Sequence, residues 1–425
     1  MKNKVVIVFI VLLTLFSFFL RFYRITEPGH YYFDEVYHAV TAKAYADNNP
    51  APYDPFSPSP KEGTAYDWLH PPLAKLIQAG SIKIFGDKPV GWRTPSLIFG
   101  TAIIPATFVL AFVLFGPTTA VFASLMIAFE NLNFVMSRIT MNDVFVTFFV
   151  VVAFIFAALY SKNFKLKNLL LSSIALGLAV SSKWTGLYAI VAIFIYITFL
   201  QFKTGKKLSF NLIFLIVIPI LLYLGSYGQF WIQGHSIGQF VDLHKQVWWY
   251  QNRHDLIHSY GTTPLFCVPQ GLDGPRTWCP WIFDIRGVYF SYEPYGSDQA
   301  GYIYALGNPL VFWVGLIGVS YLIGKALEEK NKKIYLILLG YFVFWVPWIF
   351  SPRILFLYHY LPSIPFLAVS LGYVLSMIYK TKYKIISVII VTTIIVTFFY
   401  FYPISSGLPI KINAIDKFML LKTWR

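Results

Sequence analysis

The fold class of this 425-residue chain is decided by its first apolar stretch, VVIVFIVLLTLFSFFLRF, at residues 5–22. A helix of this length can cross the hydrocarbon core of a bilayer, which requires about 20 apolar residues. The stretch follows Lys2 and Lys4 as in a signal peptide, but basic and aromatic residues at 21–24 replace the small residues of a cleavage site. The sequence therefore predicts a membrane anchor that is retained.

The rest of the chain repeats this apolar pattern. Hydrophobic residues make up 57% of the sequence and charged residues only 12%, about half of the roughly 25% that soluble domains carry. This composition excludes an ordinary soluble enzyme and a disordered chain. We expect an all-α polytopic membrane protein that forms a single transmembrane domain over residues 1–425. About eleven spans are predicted, at residues 5–22, 95–115, 119–136, 142–160, 168–182, 185–202, 210–228, 305–324, 334–350, 354–379 and 384–402.

The orientation in the membrane follows from the distribution of lysine and arginine. With the N-terminus in the cytoplasm, the inner segments hold 15 of the 34 basic residues but only two acids, Glu328 and Glu329. Nearly all of the +15 formal charge then lies inside, as the positive-inside rule requires. Because this charge lies in loops between spans, it does not indicate a nucleic-acid partner. We predict a cytoplasmic N-terminus and an external C-terminal tail, residues 403–425.

Two long segments, residues 23–94 and 229–304, both fall outside and contain seven of the eight histidines. In the first outer loop, apolar residues at helical spacing predict two helices on the membrane surface, at residues 35–48 and 73–85. Five prolines between them exclude regular structure there. Any chemistry is therefore expected at the outer face of the membrane.

The second outer loop combines aromatic residues with histidines and both cysteines of the chain. Its tryptophans and tyrosines suit the faces of sugar rings, although a plain interfacial belt has the same composition. His254 and His258 have the i, i+4 spacing of some zinc sites, but no glutamate follows the metalloprotease pattern, and we predict no metal. Cys267 and Cys279 lie on the oxidising side, which favours a disulfide over two free thiols.

Asp34 and Glu35 form a carboxylate pair among aromatic residues, shortly after the first span. Burial at the membrane surface would raise the pKa of such a carboxyl, which suits a general base that accepts the proton of a hydroxyl. The alternatives are a solvated loop acid or a cap for the following helix. We favour Asp34 as the base, because its side chain is shorter and more rigidly placed, with Glu35 in support.

Further ionisable side chains recur at the outer ends of the spans. Arg93 could bind a phosphate or a carboxylate bidentately, and His70, before two prolines, could hydrogen-bond a loop. Each could instead be structural, Arg93 for example by snorkelling to the interface. Charges at membrane depth are nevertheless functional by default and pair with one another. The other members of this set are Glu130, Arg138, Asp143, Lys183 and Arg353.

Taken together and in order, these motifs resemble the protein O-mannosyltransferases, glycosyltransferase family 39 of the GT-C superfamily. The resemblance extends over nearly the whole chain. The family usually has glycine where Ala74 stands, and the chain resembles bacterial members, which lack the large soluble insertion of the second outer loop. The matching motifs are Asp34-Glu35, LHPPLAK at residues 69–75, Arg93, Ser137-Arg138 with Asp143, Lys183-Trp184 and YHYLP at residues 358–362.

The resemblance implies transfer of mannose from polyprenyl (dolichyl) phosphate mannose to Ser or Thr hydroxyls of exported proteins, delivered by the secretion machinery, at the outer face of the cell membrane. A phosphate leaving group needs no general acid, so one carboxylate base suffices, and direct displacement inverts the anomeric centre. We expect no cofactor beyond the lipid-linked donor. The donor phosphate is assigned to Arg93, Arg138, Lys183 and Arg353, with support from His70, Glu130, Asp143 and His258.

Two other classes of function are compatible with parts of the sequence. A related GT-C enzyme could use another sugar, or a lipid or glycan acceptor, because the His-Pro-Pro motif is shared more widely than Lys183-Trp184. A secondary transporter has about this length, but we find no inverted repeats with broken midplane helices, and two large outer loops argue against it. A structural scaffold would not need the converging charges.

Overall fold

The computed structural model describes residues 3–205, 209–253, 281–351 and 355–424, and the chain is mostly helical in these ranges. The described α-helices are α1 (Asn3–Phe22), α2 (Glu35–Ala46), α3 (Leu73–Phe85), α4 (Pro89–Phe115), α5 (Pro117–Ala128), α6 (Asn131–Met136), α7 (Asp143–Asn163), α8 (Leu166–Ser182), α9 (Gly186–Lys203), α10 (Phe214–Ser226), α11 (Gly228–Ile232), α12 (Ile237–Gln251), α13 (Pro309–Glu329), α14 (Lys332–Phe342), α15 (Ile364–Tyr379) and α16 (Lys384–Ser406).

Within the described ranges, eight helices are long and apolar enough to cross a membrane. They are α1, α4, α7, α9, α13 and α16, together with α14 and α15, each extended by 3-10 turns. The other three predicted spans coincide with the shorter apolar helices α5, α8 and α10. The predicted multi-span helical fold is confirmed, but the count of eleven is not. The span predicted at residues 119–136, for example, is broken at Glu130, where α6 begins.

The centre of the helical domain is formed by α7 and α15, which are its most buried spans. Helix α7 packs against α4 and α8, and α15 packs against α5 and α13. Two glycines permit the second pair of contacts: a Cβ at Gly318 would lie 2.8 Å from the Leu371 backbone, and one at Gly372 would lie 2.7 Å from the Ala123 backbone. Small residues of this kind let membrane helices approach closely. Helices α1 and α16 lie at the periphery and expose apolar side chains.

The first outer loop contains both surface helices that the sequence predicts, since α2 and α3 coincide with the expected ranges within two residues. Helix α2 packs on α3, and α3 packs on α4 and α8. The proline-rich stretch between them contains a 3-10 turn at Ala51–Tyr53. This packing brings the start of α2 close to the His-Pro-Pro stretch that precedes α3.

A small antiparallel sheet, which the sequence analysis did not anticipate, joins the second outer loop to the C-terminal tail. Its strands are β1 (Val288–Tyr295), β2 (Gln299–Ala305) and β3 (Pro409–Lys411), in the order β1-β2-β3. Cross-strand aromatic pairs stabilise it, with the rings of Tyr289 and Tyr304 5.2 Å apart. Phe290 of β1 stacks on Phe33 at 4.1 Å. The sheet therefore packs against the residue that precedes Asp34.

Candidate active site

Asp34 stands at the N-cap position of α2, but its side chain makes no hydrogen bond to the first turn of the helix. The capping alternative is therefore not realised. The hydroxyl of Tyr358, close to α15 in the chain, donates to Asp34 Oδ2 at 3.4 Å. Phe33, just before it, has the left-handed φ of +47°, which is uncommon for a bulky residue and is held by the stacked ring of Phe290. This turn presents the Asp34 carboxyl to the protein interior instead of to the helix.

The surroundings of Asp34 favour a basic carboxylate. Burial raises the pKa of Asp34 above its ordinary value, and the nearby acids Asp67 and Asp143 act in the same direction. His38 and Lys183 oppose this shift. A carboxylate whose pKa is raised accepts a proton more readily, as a general base must.

Glu35 has a different environment, although it is the next residue. It is fully buried, and its carboxylate receives two parallel hydrogen bonds from Arg93, from Nε and Nη2, both at 2.8 Å. The backbone N–H of Thr140 also donates to it, at 3.0 Å. Because both oxygens of Glu35 are engaged in a bidentate pair, this carboxylate is placed to hold the loop and not to abstract a proton.

Arg93 is equally committed to the protein. In addition to the Glu35 bonds, its Nη1 donates to the carbonyls of Ile25 and Pro28, and its Nη2 donates to the carbonyl of His30. A guanidinium has five N–H donors, and each of them has an acceptor here. No donor remains for a phosphate in this arrangement. The predicted phosphate role of Arg93 is thus at odds with the geometry, which instead ties α4 to the loop between α1 and α2.

Arg138 is used in a similar way. Its guanidinium donates to the backbone carbonyls of Arg21, Tyr23 and Arg24 at the end of α1, and to that of Ser406 at the end of α16. It is 5% exposed. These bonds favour a structural role for Arg138, which connects the backbone at the end of α1 with that at the end of α16, over the predicted contact with a phosphate.

Glu130 is also explained by the backbone around it. Its carboxylate accepts the N–H groups of Leu132 and Asn133 in the first turn of α6, at 3.0 and 2.6 Å, and that of Asn308 before α13, at 3.0 Å. This is a helix cap shared with a second helix. Glu130 supports the fold, at a distance from the groups that surround Asp34.

Asp67 is the centre of a buried cluster that sequence reasoning missed. Its carboxylate lies 2.9 Å from His70 Nδ1, 2.9 Å from His38 Nδ1 and 2.6 Å from Lys75 Nζ. Burial by itself would raise the pKa of Asp67, but His70, Lys75 and His38 together hold it well below its usual value. The available signal was the position of Asp67, three residues before the histidine of the His-Pro-Pro motif. The expectation that His70 bonds a loop residue is borne out by this contact.

The same cluster contains the possible metal ligands that the described ranges offer. Donor atoms of His38, Asp67 and His70 lie within 4.8 Å of one another. The ammonium of Lys75, which is fully buried, already lies against the shared carboxylate. Asp67 therefore has a cationic partner within the chain.

Lys183 and Asp143 form the next charged pair, at 2.7 Å, between the start of α7 and the end of α8. The Lys183 ammonium also lies 5.7 Å from the centre of the Tyr358 ring, so Tyr358 contacts both Lys183 and Asp34. An ammonium has three donors, and the Asp143 carboxylate uses one of them. Lys183 can therefore bind an anion without leaving Asp143.

A cavity of about 350 Å³ adjoins these groups. Lys183 and His70 line it together with Trp184, Trp348 and other aromatic and polar side chains from α9, α12 and the segment before α15. Ser351 is also part of its wall. A volume in this range suits a small-molecule site with a few polar groups on aromatic walls.

Five residues singled out in the sequence lie outside the described residues: His254, His258, Cys267, Cys279 and Arg353. Among the others, the structure brings together Asp34, His70, Asp143 and Lys183 near the cavity. Glu35 and Arg93 support this group from one side. Arg138 and Glu130 belong to the packing of helix ends.

Comparison with known proteins gives matches over nearly the whole chain. A family model described as "Dolichyl-phosphate-mannose-protein mannosyltransferase" matches residues 11–235, and one described as "C-terminal four TMM region of protein-O-mannosyltransferase" matches residues 236–424. The polyprenol-phosphate-mannose–protein mannosyltransferase of Mycobacterium tuberculosis is 22% identical, covering 100% of this chain and 92% of the relative. Its counterpart in Corynebacterium glutamicum is 23% identical, covering 84% of this chain and 81% of the relative.

Solved structures give the same picture for the fold. The Saccharomyces cerevisiae protein O-mannosyltransferase Pmt1–Pmt2 complex bound to the sugar donor matches with a TM-score of 0.79 at 16% identity, covering 100% of this chain and 93% of that chain. The apo oligosaccharyltransferase of Archaeoglobus fulgidus matches with a TM-score of 0.60 at 14% identity, covering 96% of this chain and 56% of that chain. These similarities confirm the GT-C fold expected from the sequence.

Proposed function

This chain belongs to the dolichyl-phosphate-mannose-protein mannosyltransferase family, since the model of that family matches more than half of it, and we propose that it transfers mannose from a polyprenyl phosphate mannose to Ser or Thr hydroxyls of exported proteins. The single observation that carries the proposal is the position of Asp34. Among the described residues, the half-buried Asp34 carboxyl is neither a helix cap nor part of an ion pair, in contrast to Glu35 beside it.

Asp34 would act as the general base of the transfer. The hydroxyl oxygen of the acceptor forms a bond with the anomeric carbon of mannose while the bond from that carbon to the phosphate oxygen breaks. The proton of the hydroxyl passes to the Asp34 carboxylate, and the polyprenyl phosphate leaves as an anion. A single displacement of this kind inverts the anomeric centre, and the departing phosphate needs no acid.

The charge that develops on the phosphate would be stabilised by Lys183, which lines the cavity and lies against Tyr358, the residue that contacts Asp34. Arg353, which lies outside the described residues, stays a second candidate by its residue type and by the motif to which it belongs. A preorganised cation placed where negative charge develops lowers the barrier more than one in water would. Arg93 and Arg138 would contribute by holding the loop and the helix ends in position.

The chain is a multi-span membrane protein, and we assign it to the cell membrane with its N-terminus in the cytoplasm and the site outside. The excess of lysine on one side supports this orientation. The site would then meet the acceptor protein as that protein leaves the secretion machinery. The donor lipid would reach the cavity from the membrane, and we propose no metal or further cofactor.

The function can be tested with membranes that contain the wild-type chain or its Asp34→Asn variant. They are incubated with radiolabelled polyprenyl phosphate mannose and with Ser- and Thr-containing peptides, and the labelled peptide is analysed for the linkage. We expect mannose on a hydroxyl with the anomeric configuration opposite to that of the donor. Labelled peptide should be lost with Asp34→Asn.

Other outcomes would contradict the proposal in distinct ways. Label that appears in lipid or glycan, with none in peptide, would identify a different acceptor. Label that crosses sealed vesicles unchanged would indicate transport. Retention of the donor configuration would exclude a single displacement.

A further inference from the structure

We propose that His70, held in one orientation by Asp67, accepts a hydrogen bond from a hydroxyl group of the donor sugar and thereby determines which sugars are transferred. The inference rests on the proposed function and assigns a specificity-determining residue within its donor site. Three observations carry it: the rigidity of Asp67, the tautomer that this carboxylate selects on His70, and the position of the His70 ring at the cavity.

Asp67 is fixed by its own surroundings. Its backbone N–H donates to the buried hydroxyl of Thr41 in α2, at 2.7 Å, and its Oδ1 accepts the N–H of Leu69, at 3.1 Å. The Lys75 ammonium of α3 lies 2.6 Å from Oδ2. Because His38 Nδ1 of α2 also lies 2.9 Å from Oδ2, the carboxylate bridges α2 and α3, and it cannot turn away from His70 without breaking contacts to both helices.

The carboxylate then selects the tautomer of His70. An ionised carboxylate can only accept hydrogen bonds, so His70 Nδ1, 2.9 Å from it, must carry the proton. The Lys75 ammonium, 2.6 Å from Oδ2, already balances the charge of that carboxylate, so the imidazole needs no second proton. A neutral ring protonated at Nδ1 has a free lone pair at Nε2. Nε2 is thus a hydrogen-bond acceptor with a fixed direction.

The geometry directs that acceptor toward the cavity. His70 lines the cavity, whereas Asp67 does not, and in the proposed arrangement the edge of the ring opposite Nδ1 faces the open space. Lys183 lies in the same wall, with the indole of Trp184 next to it. A donor whose phosphate contacts Lys183 would place its sugar against the aromatic side chains. One of the sugar hydroxyls would then meet His70 Nε2.

Such an acceptor affects the choice between different sugars more than it affects the affinity for all of them. A sugar that carries the hydroxyl donates to Nε2, while a sugar that lacks it leaves a desolvated acceptor without a partner. Sites built to bond a hydroxyl therefore reject the deoxy analogue strongly. Because the direction of Nε2 is fixed, loss of only one of the sugar hydroxyls should lower the rate of transfer in this way.

The test uses the full-length protein in membranes and a set of donors, polyprenyl phosphate mannose and its 2-, 3-, 4- and 6-deoxy analogues. The ratio of kcat/KM for mannose to that for each analogue is measured in four variants. His70→Phe keeps a planar ring without an acceptor, His70→Asn places an acceptor only at the δ position, and His70→Gln restores one at the ε position. His30→Phe is the matched control, since the His30 side chain is 63% exposed.

We expect the wild-type chain to transfer one of the deoxy sugars about 10- to 100-fold less efficiently than mannose. That ratio should fall to within about 3-fold in His70→Phe and His70→Asn, and it should remain large in His70→Gln and His30→Phe. His70→Asn also covers the case in which His70→Phe does not fold. A merely structural role of His70 would lower all rates together and leave the ratios unchanged.

Two results have different meanings. Equal deoxy penalties in the wild type and in both loss variants would overturn the role of His70 while leaving mannose transfer intact. Absence of mannose transfer by the wild-type chain would instead refute the proposed function on which the inference depends.

Discussion

Asp34 and Glu35 are adjacent in sequence, but within the part of the chain that the structure describes only Glu35 is bonded to a cation. The Glu35 carboxylate forms a bidentate pair with Arg93, and Asp34 has the neutral hydroxyl of Tyr358 as its hydrogen-bond donor. Sequence reasoning favoured Asp34 as the base because its side chain is shorter and more rigidly placed. The structure gives this preference a physical basis, because the two carboxylates face different partners.

The first prediction concerns the rate of transfer. Asp34→Asn keeps the shape of the side chain but removes the proton acceptor, so kcat should fall by about 10²–10⁴-fold with little change in donor binding. Donor binding can be measured separately by protection of the protein against thermal unfolding. An Asp34→Asn protein with near-normal kcat would place the base elsewhere, with Asp143 the next carboxylate near the cavity.

The second prediction concerns stability and pH. Burial raises the pKa of Asp34 in the folded chain above its unfolded value. Its contribution to stability is therefore present below the unfolded pKa and is lost as pH rises through the folded pKa. Near neutral pH the ionised carboxylate destabilises the protein, so Asp34→Asn should raise the Tm there, and the gain should shrink toward acid pH. Asp242→Asn, at an exposed acid, is the control and should show no such trend.

The third prediction concerns the Glu35–Arg93 pair, in which both side chains are fully buried. Glu35→Gln leaves the Arg93 charge without its partner, and loss of one member of a buried pair costs about 3–5 kcal/mol. We expect a strongly lowered Tm and less folded protein in membranes. The rate per folded molecule should fall much less than in Asp34→Asn. A stable Glu35→Gln protein without activity would reverse the assignment of the two acids.

The fourth prediction concerns the phosphate. Lys183→Ala should lose about 1.5–3 kcal/mol of donor binding or transition-state stabilisation, the value of one charge-assisted contact. Lys245→Ala provides the comparison, since Lys245 forms an ion pair that is about 70% exposed. Steady-state kinetics at varied donor concentration would show the difference between the two variants. Similar kinetics in both variants would leave Lys183 as a partner of Asp143 only.

The fifth prediction concerns topology. An N-terminal epitope tag should be inaccessible to antibody in intact cells and become accessible after permeabilisation, because the lysine-rich segments favour the cytoplasm. A protease site introduced among the exposed residues of the 50–60 stretch should be cleaved from outside. Labelling of the N-terminal tag in intact cells would invert the orientation.

The sequence predicted the helices well because periodicity and apolar length are local properties. The surface helices α2 and α3 appear where spacing placed them, and the multi-span character follows from composition. The sheet was missed because its strands lie in a loop rich in aromatic residues, which also suits a membrane interface. A hairpin signal was present nonetheless, as β1 and β2 are aromatic-rich runs separated by three residues that begin with Gly296.

The site was predicted only in part, for a different reason. Sequence identifies which side chains are charged, but the partners of a buried charge are set by long-range packing. By residue type, Arg93 and Arg138 could bind phosphate or carbonyl groups equally well. Only the fold shows that all donors of Arg93, and both terminal nitrogens of Arg138, already bond to the protein. Asp67 went unnoticed because the cluster around it joins residues from α2, the His-Pro-Pro stretch and α3.

The bonds of Arg138 have a consequence for the order in which the protein is made. This guanidinium joins carbonyls at the end of α1 to the carbonyl of Ser406 at the end of α16, so a helix synthesised early is fastened by one synthesised late. Tyr358, which contacts Asp34, is also synthesised long after the first outer loop, in which Asp34 lies. The nascent chain therefore lacks the Tyr358 contact to Asp34 until that segment has been made, and the end of α1 lacks its connection to α16 until the last described helix has been made. A premature stop before α16 should yield an inactive protein even though every catalytic residue proposed here has been translated.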